Sequence, residues 1–263
     1  EVLDALRFEG RIDGTVREAI NLLNAAPCPV GRYDVILESS QLALQIHESV
    51  GHPLEGDRFF GWENDFAGGT HVPGDQFGSY RYGSDHVTLY ADTTSEGGLG
   101  SIPWDDEGRR GGRWDLVQRG ILTGVLGARR LDGRLGLEQP GGCMRAAGWY
   151  RPALVRMPNV SLAPDAGSLE DLIARTERGV YMETNKSFSI DDRRLNFQFG
   201  CEVGWLIEDG ERTQMLKDPN YSGTTPSFWR SCDAVCGQDE WKLWGFLVCG
   251  KGRPGQAMMV GHG

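Results

Sequence analysis

The chain has 263 residues, of which 39% are hydrophobic and 24% charged, a composition typical of a folded globular protein. Its 27 basic and 37 acidic side chains give a formal net charge of −10 without any basic stripe, which argues against nucleic acid as a partner. No run of about 18 apolar residues is present, so no membrane span and no membrane partner are predicted. The six cysteines lack the spacing of a disulfide framework, which favours a reducing, cytoplasmic location.

Two helices and one strand are predicted in the first fifty residues. Apolar residues at helical spacing predict an amphipathic helix from Asp13 to about Ala26. A short strand follows at Tyr33–Leu37, and Ser39 or Ser40 is expected to cap the next helix. The buried stripe of this second helix recurs every four residues, at Leu42, Ile46 and Val50.

The second helix carries the pattern H-E-x-x-x-H, which runs from His47 through Glu48 to His52. Imidazole is a common zinc ligand, and a glutamate beside a ligand is suited to act as a general base. Five steps on a regular α-helix place the two rings roughly 140° apart, so both reach one metal only if the helix contains a π-bulge or ends at Gly51. The spacing alone leaves open the alternative that these are two unrelated histidines on a helix and its cap.

The middle of the chain is predicted to contain loops and short strands. The aromatic, glycine-rich sequence from Pro53 to about Gly83 predicts long loops, which often form lids or substrate walls beside a site. Val87–Ala91 is a predicted strand, and Ala153–Met157 is another. Trp114–Gln118 and Ile121–Leu126 predict a hairpin.

The last hundred residues are predicted to be mostly β-structure. Ser168 and Asp171 have the spacing of a capping box and predict the start of a short helix. Strands are then expected at 180–184, 187–190, 195–201 and 202–208. Asp209-Gly210 predicts a turn into a return strand, and Thr225-Pro226 predicts the start of a helix. Trp241–Val248 is a strand-like apolar run.

Helices early in the chain and strands thereafter predict an α+β fold. Its main feature is an extensive antiparallel sheet, either open or curled like a barrel, with a few helices of which one carries the H-E-x-x-x-H motif. No internal repeat or low-complexity linker interrupts the sequence, so residues 1–263 are expected to form a single domain.

The segment His47–Asp57, with the sequence HESVGHPLEGD, resembles the metal motif of the TldD/PmbA family of metallopeptidases. Further segments resemble the same family: 105–108 (DDEG), 181–185 (YMETN), 197–200 (FQFG) and 249–252 (CGKG). The resemblance covers nearly the whole chain and corresponds to the C-terminal catalytic part of a TldD-type, metal-binding subunit. The family's N-terminal α/β domain has no counterpart in this sequence.

This resemblance implies a cytoplasmic zinc peptidase that acts on unfolded or short peptides. It also implies a homodimer or a heterodimer with a PmbA-like subunit. In the family the third metal ligand is the cysteine of the late Cys-Gly-Lys segment, which corresponds to Cys249. The implied site is Zn²⁺ held by His47, His52 and Cys249, with water in the fourth position and Glu48 as general base.

Local sequence favours Cys249 as well, because it follows an apolar run and precedes two glycines that leave room for a metal. Other side chains keep two interpretations. Cys232 and Cys236, four residues apart on the predicted helix, are either a metal-binding pair or buried thiols. Glu55 and Asp57 are either acceptors that orient a ligand histidine or solvated loop carboxylates.

Five further side chains are weaker candidates for the site. Arg145 and Lys251 either bind a substrate terminus or an oxyanion, or are surface charges. His71 and His86 are expected to be surface histidines, and His262 is able to approach the site.

Two classes of function follow from these residues. The first is a zinc peptidase, and the second is a non-catalytic peptide-binding or scaffold subunit with a structural metal or none. Glu48 favours the enzyme, because a structural zinc site closes four ligands and needs no base.

Overall fold

A computed structural model describes residues 8–137 and 141–263, and two six-stranded sheets form most of this part of the chain. The strands of the first sheet are β1 (Ala26–Pro27), β2 (Asp34–Leu37), β9 (Arg178–Ile190), β10 (Asn196–Glu208), β11 (Glu211–Lys217) and β12 (Asn220–Thr224). Their order is β1-β11-β10-β9-β2, and β12 pairs with the first half of β10. Strands β9 to β12 pair antiparallel, whereas β1 and β2 join the sheet in parallel.

The second sheet brings together strands from the middle and the end of the chain. Its strands are β3 (Leu89–Asp92), β4 (Arg113–Gln118), β5 (Ile121–Leu122), β8 (Asn159–Leu162), β13 (Trp244–Lys251) and β14 (Gln256–His262), in the order β13-β14-β8-β3-β4-β5. All neighbours are antiparallel except β14 and β8. A separate pair is formed by β6 (Met144–Arg145) and β7 (Leu154–Val155).

The helices are α1 (Phe8–Leu22), α2 (Ser39–Ile46), α3 (Arg129–Leu135), α4 (Leu169–Ala174) and α5 (Thr225–Arg230). A π-helix (His47–Gly51) continues α2, and 3₁₀ turns lie at Gly56–Phe60 and Gln238–Glu240. Within residues 8–137 and 141–263, every helix falls short of the length and apolarity that crossing a membrane requires.

Helix α2 lies between the two sheets and packs against β2 and β9 on one side and β8, β13 and β14 on the other. Leu44 packs with Phe197 and Phe199 of the first sheet. Ile46 and Val50 belong to the core of the second sheet. Full burial of each such side chain contributes about 1.5–3 kcal/mol. The H-E-x-x-x-H motif is therefore held at the centre of the fold.

The α+β prediction is confirmed, and in the described part of the chain both sheets are open rather than closed into a barrel. The four strands predicted at 180–184, 187–190, 195–201 and 202–208 form only two, β9 and β10. The register shift between Gly200 and Cys201 bends their pairing without ending it. The capping box of Ser168 and Asp171 is present.

Several details of the sequence prediction are wrong. Glu38, not Ser39 or Ser40, caps α2, because its carboxylate accepts hydrogen bonds from the Ser40 amide at 2.7 Å and the Ser39 hydroxyl at 2.6 Å. Helix α5 ends at Arg230, before Cys232 and Cys236, so these cysteines are not a helical pair.

Helix α5 ends early because the Ser231 hydroxyl donates to the Phe228 carbonyl oxygen at 2.9 Å and closes the last turn. The predicted apolar stripe of α1 is also exposed, as Val16, Ile20 and Leu23 show.

Candidate metal centre

The backbone between His47 and His52 forms a π-turn, not a regular α-turn. The His52 amide donates to the His47 carbonyl oxygen at 3.1 Å, which is an i→i+5 hydrogen bond. A turn that closes on the fifth residue returns His52 to the face of His47. The two imidazole rings lie 4.7 Å apart, centroid to centroid, at 86°. This is one of the two backbone arrangements that the five-residue spacing required.

Ser49 and Gly51 stabilise the π-turn. The Ser49 hydroxyl donates to the Gln45 carbonyl oxygen at 2.5 Å and accepts from the Trp229 indole at 2.9 Å. The Ser49 carbonyl oxygen accepts a hydrogen bond from the Tyr82 hydroxyl. A Cβ atom at Gly51 would lie 2.3 Å from the Met157 sulfur, so glycine is needed here for close packing.

Cys249 lies on β13 and brings its thiol to the two histidines. Its Sγ atom lies 3.7 Å from Nε2 of His52, and one donor atom from each of His47, His52 and Cys249 falls within 4.8 Å of the others. Tetrahedral zinc with bonds of about 2.0–2.1 Å to nitrogen and 2.3 Å to sulfur separates such atoms by about 3.6 Å. The three side chains therefore fit a zinc ion in spacing and in donor chemistry.

The thiol of Cys249 is buried, and burial raises its pKa to about 11. The Arg156 guanidinium acts in the opposite direction, and it also donates to the Cys249 and Gln256 carbonyl oxygens. A divalent cation deprotonates a coordinating thiol, so the site is suited to a thiolate only when a cation is bound.

A buried ionic network supports His52 from the side opposite Cys249. Nδ1 of His52 lies 3.1 Å from Oε2 of Glu55, and the same carboxylate oxygen accepts from Nε of Arg58 at 2.7 Å. Burial opposes ionisation of Glu55, but Lys251 and Arg58 hold its pKa well below the usual value. Nη2 of Arg58 also lies 3.2 Å from Nδ1 of His52. The closer Glu55 oxygen, at 3.1 Å, belongs to an ionised carboxylate that only accepts, and it favours the proton on Nδ1. The lone pair is then on Nε2, the nitrogen that lies 3.7 Å from Sγ of Cys249.

Asp57 and Lys251 belong to this network too. Lys251 is fully buried, and its ammonium group donates to a carboxylate oxygen of Asp57 and to the Val155 carbonyl oxygen, both at 2.8 Å. Asp57 therefore pairs with a lysine and not with a histidine. Lys251 is therefore a buried cation, and the interpretation of it as a surface charge is wrong.

His262, on β14, is the polar partner of His47. Nε2 of His262 lies 2.9 Å from Nδ1 of His47, and Nδ1 of His262 lies 2.9 Å from the Val160 carbonyl oxygen. His262 is fully buried, and burial lowers its pKa to about 4. Burial likewise places the pKa of His47 well below its usual value. Both rings are therefore neutral near pH 7.

Glu48 is buried next to the three candidate ligands. One of its oxygens accepts a hydrogen bond from Nη1 of Arg194 at 2.7 Å. Burial raises the pKa of Glu48, and the positive charges of Arg194 and Arg58 oppose that rise. The sequence did not predict Arg194 as a partner of Glu48, because it is 146 positions away and lies in an ordinary hairpin connection.

The remaining candidates lie outside this cluster, and no second group of three ligating side chains was found among residues 8–137 and 141–263. Nδ1 of His71 lies 3.3 Å from the Arg193 carbonyl oxygen, and exposed His86 pairs with Asp165 at 3.1 Å. Arg145 donates to two carbonyl oxygens, those of Met157 and Met259.

Comparison with known proteins agrees with this fold. The family described as the PmbA/TldA metallopeptidase C-terminal domain matches residues 30–258. The chain therefore belongs to the PmbA/TldD family. It is 38% identical over 245 residues to a metalloprotease of Methanocaldococcus jannaschii, which covers 93% of this chain and 51% of that protein.

Two further relatives match at lower identity. A zinc metalloprotease TldD homolog of Saccharolobus solfataricus is 26% identical over 80% of this chain and 45% of that protein. The crystal structure of TldE from Thermococcus kodakarensis superimposes with a TM-score of 0.70 at 19% identity, over 95% of this chain and 53% of that one. The structural likeness shows the fold, and the chain spans about half the length of these relatives.

Proposed function

We propose that the protein is a zinc-dependent peptidase whose metal is held by His47, His52 and Cys249. The observation that carries this proposal is the convergence of two imidazoles and one thiol within 4.8 Å, directly beside a buried glutamate. Three protein ligands leave the fourth tetrahedral position for water, as in catalytic rather than structural zinc sites. The zinc in the name of the Saccharolobus solfataricus relative supports the choice of metal.

Bound zinc would supply Lewis acidity and lower the pKa of a water molecule at the open position. Glu48 would serve as the general base that accepts a proton from the attacking water and passes it to the leaving amine. Its neighbour Arg194 favours the carboxylate form that a base requires, against the effect of burial. His47 and His52 keep their rings in fixed orientations through His262 and Glu55.

The substrate class that fits this architecture is an unfolded or short peptide. Within the described part of the chain, β13 ends the strand order of the second sheet and carries Cys249. An extended peptide that pairs with the outer edge of β13 would run past the candidate metal centre through main-chain hydrogen bonds. Such binding reads little side-chain sequence. We also propose a cytoplasmic dimer, homotypic or with a PmbA-like subunit.

Peptide cleavage by the purified protein tests this function. An unfolded peptide should be cut, a stably folded protein should resist, and removal of zinc by a chelator should stop cleavage until zinc is restored. The Glu48→Gln variant should keep its zinc and lose about 10²–10⁴-fold in rate. Glu96→Gln, a change at an exposed carboxylate, is the matched control and should retain the rate.

Two outcomes would contradict the proposal. Cleavage by Glu48→Gln at the wild-type rate would remove Glu48 from the mechanism. Peptide binding without cleavage by the zinc-loaded wild type would identify the protein as a non-catalytic binding or scaffold subunit.

A further inference from the structure

Three groups on adjacent elements form a hydrogen-bonded chain that ends at the candidate metal centre. The Val160 carbonyl oxygen on β8 contacts Nδ1 of His262 on β14, and Nε2 of His262 contacts Nδ1 of His47, each at 2.9 Å. Strand β14 pairs with β8 on one side and with β13, the strand of Cys249, on the other. The fold thus places His262 behind one candidate ligand and on the strand next to another.

The Val160 carbonyl oxygen, at one end of this series of hydrogen bonds, determines the direction of both. A carbonyl oxygen only accepts, so Nδ1 of His262 carries the proton. In neutral His262 the other nitrogen, Nε2, is then an acceptor. Among the described residues, the donor that contacts it is Nδ1–H of His47, which leaves the lone pair of His47 on Nε2. A metal binds a neutral imidazole through such a lone pair.

We propose that His262 is a positioning residue that fixes His47 in the Nδ1–H tautomer and thereby presents its Nε2 lone pair to the metal. This inference rests on the proposed zinc site and deepens it. Without a partner at Nδ1, the ring of His47 would be free to exchange tautomers and to rotate about its side-chain bonds. His262 removes both freedoms before the metal binds.

The geometry around His262 separates this role from plain packing. Phe246 lies against both rings, with centroid distances of 5.2 Å to His47 and 5.5 Å to His262, and contributes only apolar contact. Phe246→Leu therefore loosens the packing and leaves the hydrogen bonds in place. His262→Leu introduces an apolar side chain of similar bulk, which preserves the packing and removes the hydrogen bonds.

The zinc affinity of four proteins, measured by competition with a chromophoric chelator, tests the proposal. His262→Leu should bind zinc about 10–100-fold more weakly than the wild type, because it removes a ligand's hydrogen-bond partner. His262→Gln should recover most of this loss, since its amide oxygen accepts from His47 and its NH₂ donates to Val160. Phe246→Leu should bind as the wild type does. Wild-type affinity in His262→Leu, or equal losses in the leucine and glutamine variants, would overturn the proposal.

A second measurement does not depend on the variants folding. Long-range ¹H–¹⁵N correlation spectra of the metal-free wild type should show the proton of His47 on Nδ1, and a proton on Nε2 would overturn the proposal. This readout also separates the inference from the proposed function. A protein that fails to cleave peptides or to bind zinc would refute the peptidase, while the proton position on His47 would still decide the role of His262.

Discussion

Nη1 of Arg194 lies 2.7 Å from Oε2 of Glu48, although the two residues are 146 positions apart in the chain. Arg194 sits in the connection between β9 and β10 with a positive φ of 59°. Asp191 shapes this connection by accepting hydrogen bonds from the amides of Leu195 at 2.9 Å and Asn196 at 3.0 Å. A hairpin of the first sheet thereby provides the counter-charge for a carboxylate on the central helix.

This ion pair predicts the pH dependence of an Arg194→Ala variant. Burial raises the pKa of Glu48 and Arg194 lowers it, so loss of Arg194 should raise that pKa further. A base with a raised pKa is protonated at higher pH. The acid limb of the profile of kcat/KM against pH should therefore move to higher pH in this variant. Arg193→Ala, at the exposed neighbouring position, is the control. Superimposable profiles for the two variants would refute the idea that Arg194 lowers the pKa of the general base Glu48.

Lys251 predicts a large loss of stability. Its ammonium group is fully buried against Asp57 at 2.8 Å and Glu55 at 3.3 Å. Lys251→Met therefore removes the ion-pair partner of Asp57 and leaves Glu55 with Arg58 alone. Removing one partner of a buried pair costs about 3–5 kcal/mol in the free energy of unfolding. Lys242→Met, at an exposed lysine 3.7 Å from Glu38, should cost no more than about 1 kcal/mol. Urea unfolding of both variants measures the difference, and equal midpoints would contradict the network.

His71 predicts how stability depends on pH. Burial lowers the pKa of His71 to about 4, and the unfolded chain has the ordinary value of about 6.5. Between these values the unfolded state binds more protons, so His71 stabilises the fold above about pH 6.5 and loses that contribution as the pH falls towards 4. The slope is a fraction of about 1.4 kcal/mol per pH unit, because the ring is only partly buried. His71→Gln should reduce this slope, measured by urea unfolding at a series of pH values. An unchanged slope would show that His71 is not the source of the pH dependence.

Local sequence patterns predicted those features that depend on neighbouring residues. The capping box at Ser168 and the turn at Asp209-Gly210 are fixed by contacts within a few positions, and both are present. For both histidines to reach one metal, the spacing of His47 and His52 required a π-bulge or a helix end at Gly51, and the π-turn is found. Helix propensity alone does not select that turn, because distant residues, Tyr82 and Trp229, donate the hydrogen bonds that hold Ser49 within it.

Contacts across the fold explain what the sequence did not predict. Arg194, and the pairing of His262 with the Val160 carbonyl oxygen, depend on which strands become neighbours. Lys251 follows Cys249 closely and looked like a surface charge, because a sequence gives no indication that Asp57 would meet it in the interior. Glu38 caps α2 one residue before the serines that are the usual capping residues.

The zinc content of three cysteine variants tests the central claim most directly. Cys249→Ala, Cys232→Ala and Cys236→Ala are purified in parallel, dialysed against zinc-free buffer and analysed by mass spectrometry for bound metal. Removal of one of three ligands should strip zinc from Cys249→Ala, while the other two variants should keep wild-type occupancy. Full zinc occupancy in Cys249→Ala, or loss of zinc only in Cys232→Ala or Cys236→Ala, would contradict a site built from His47, His52 and Cys249.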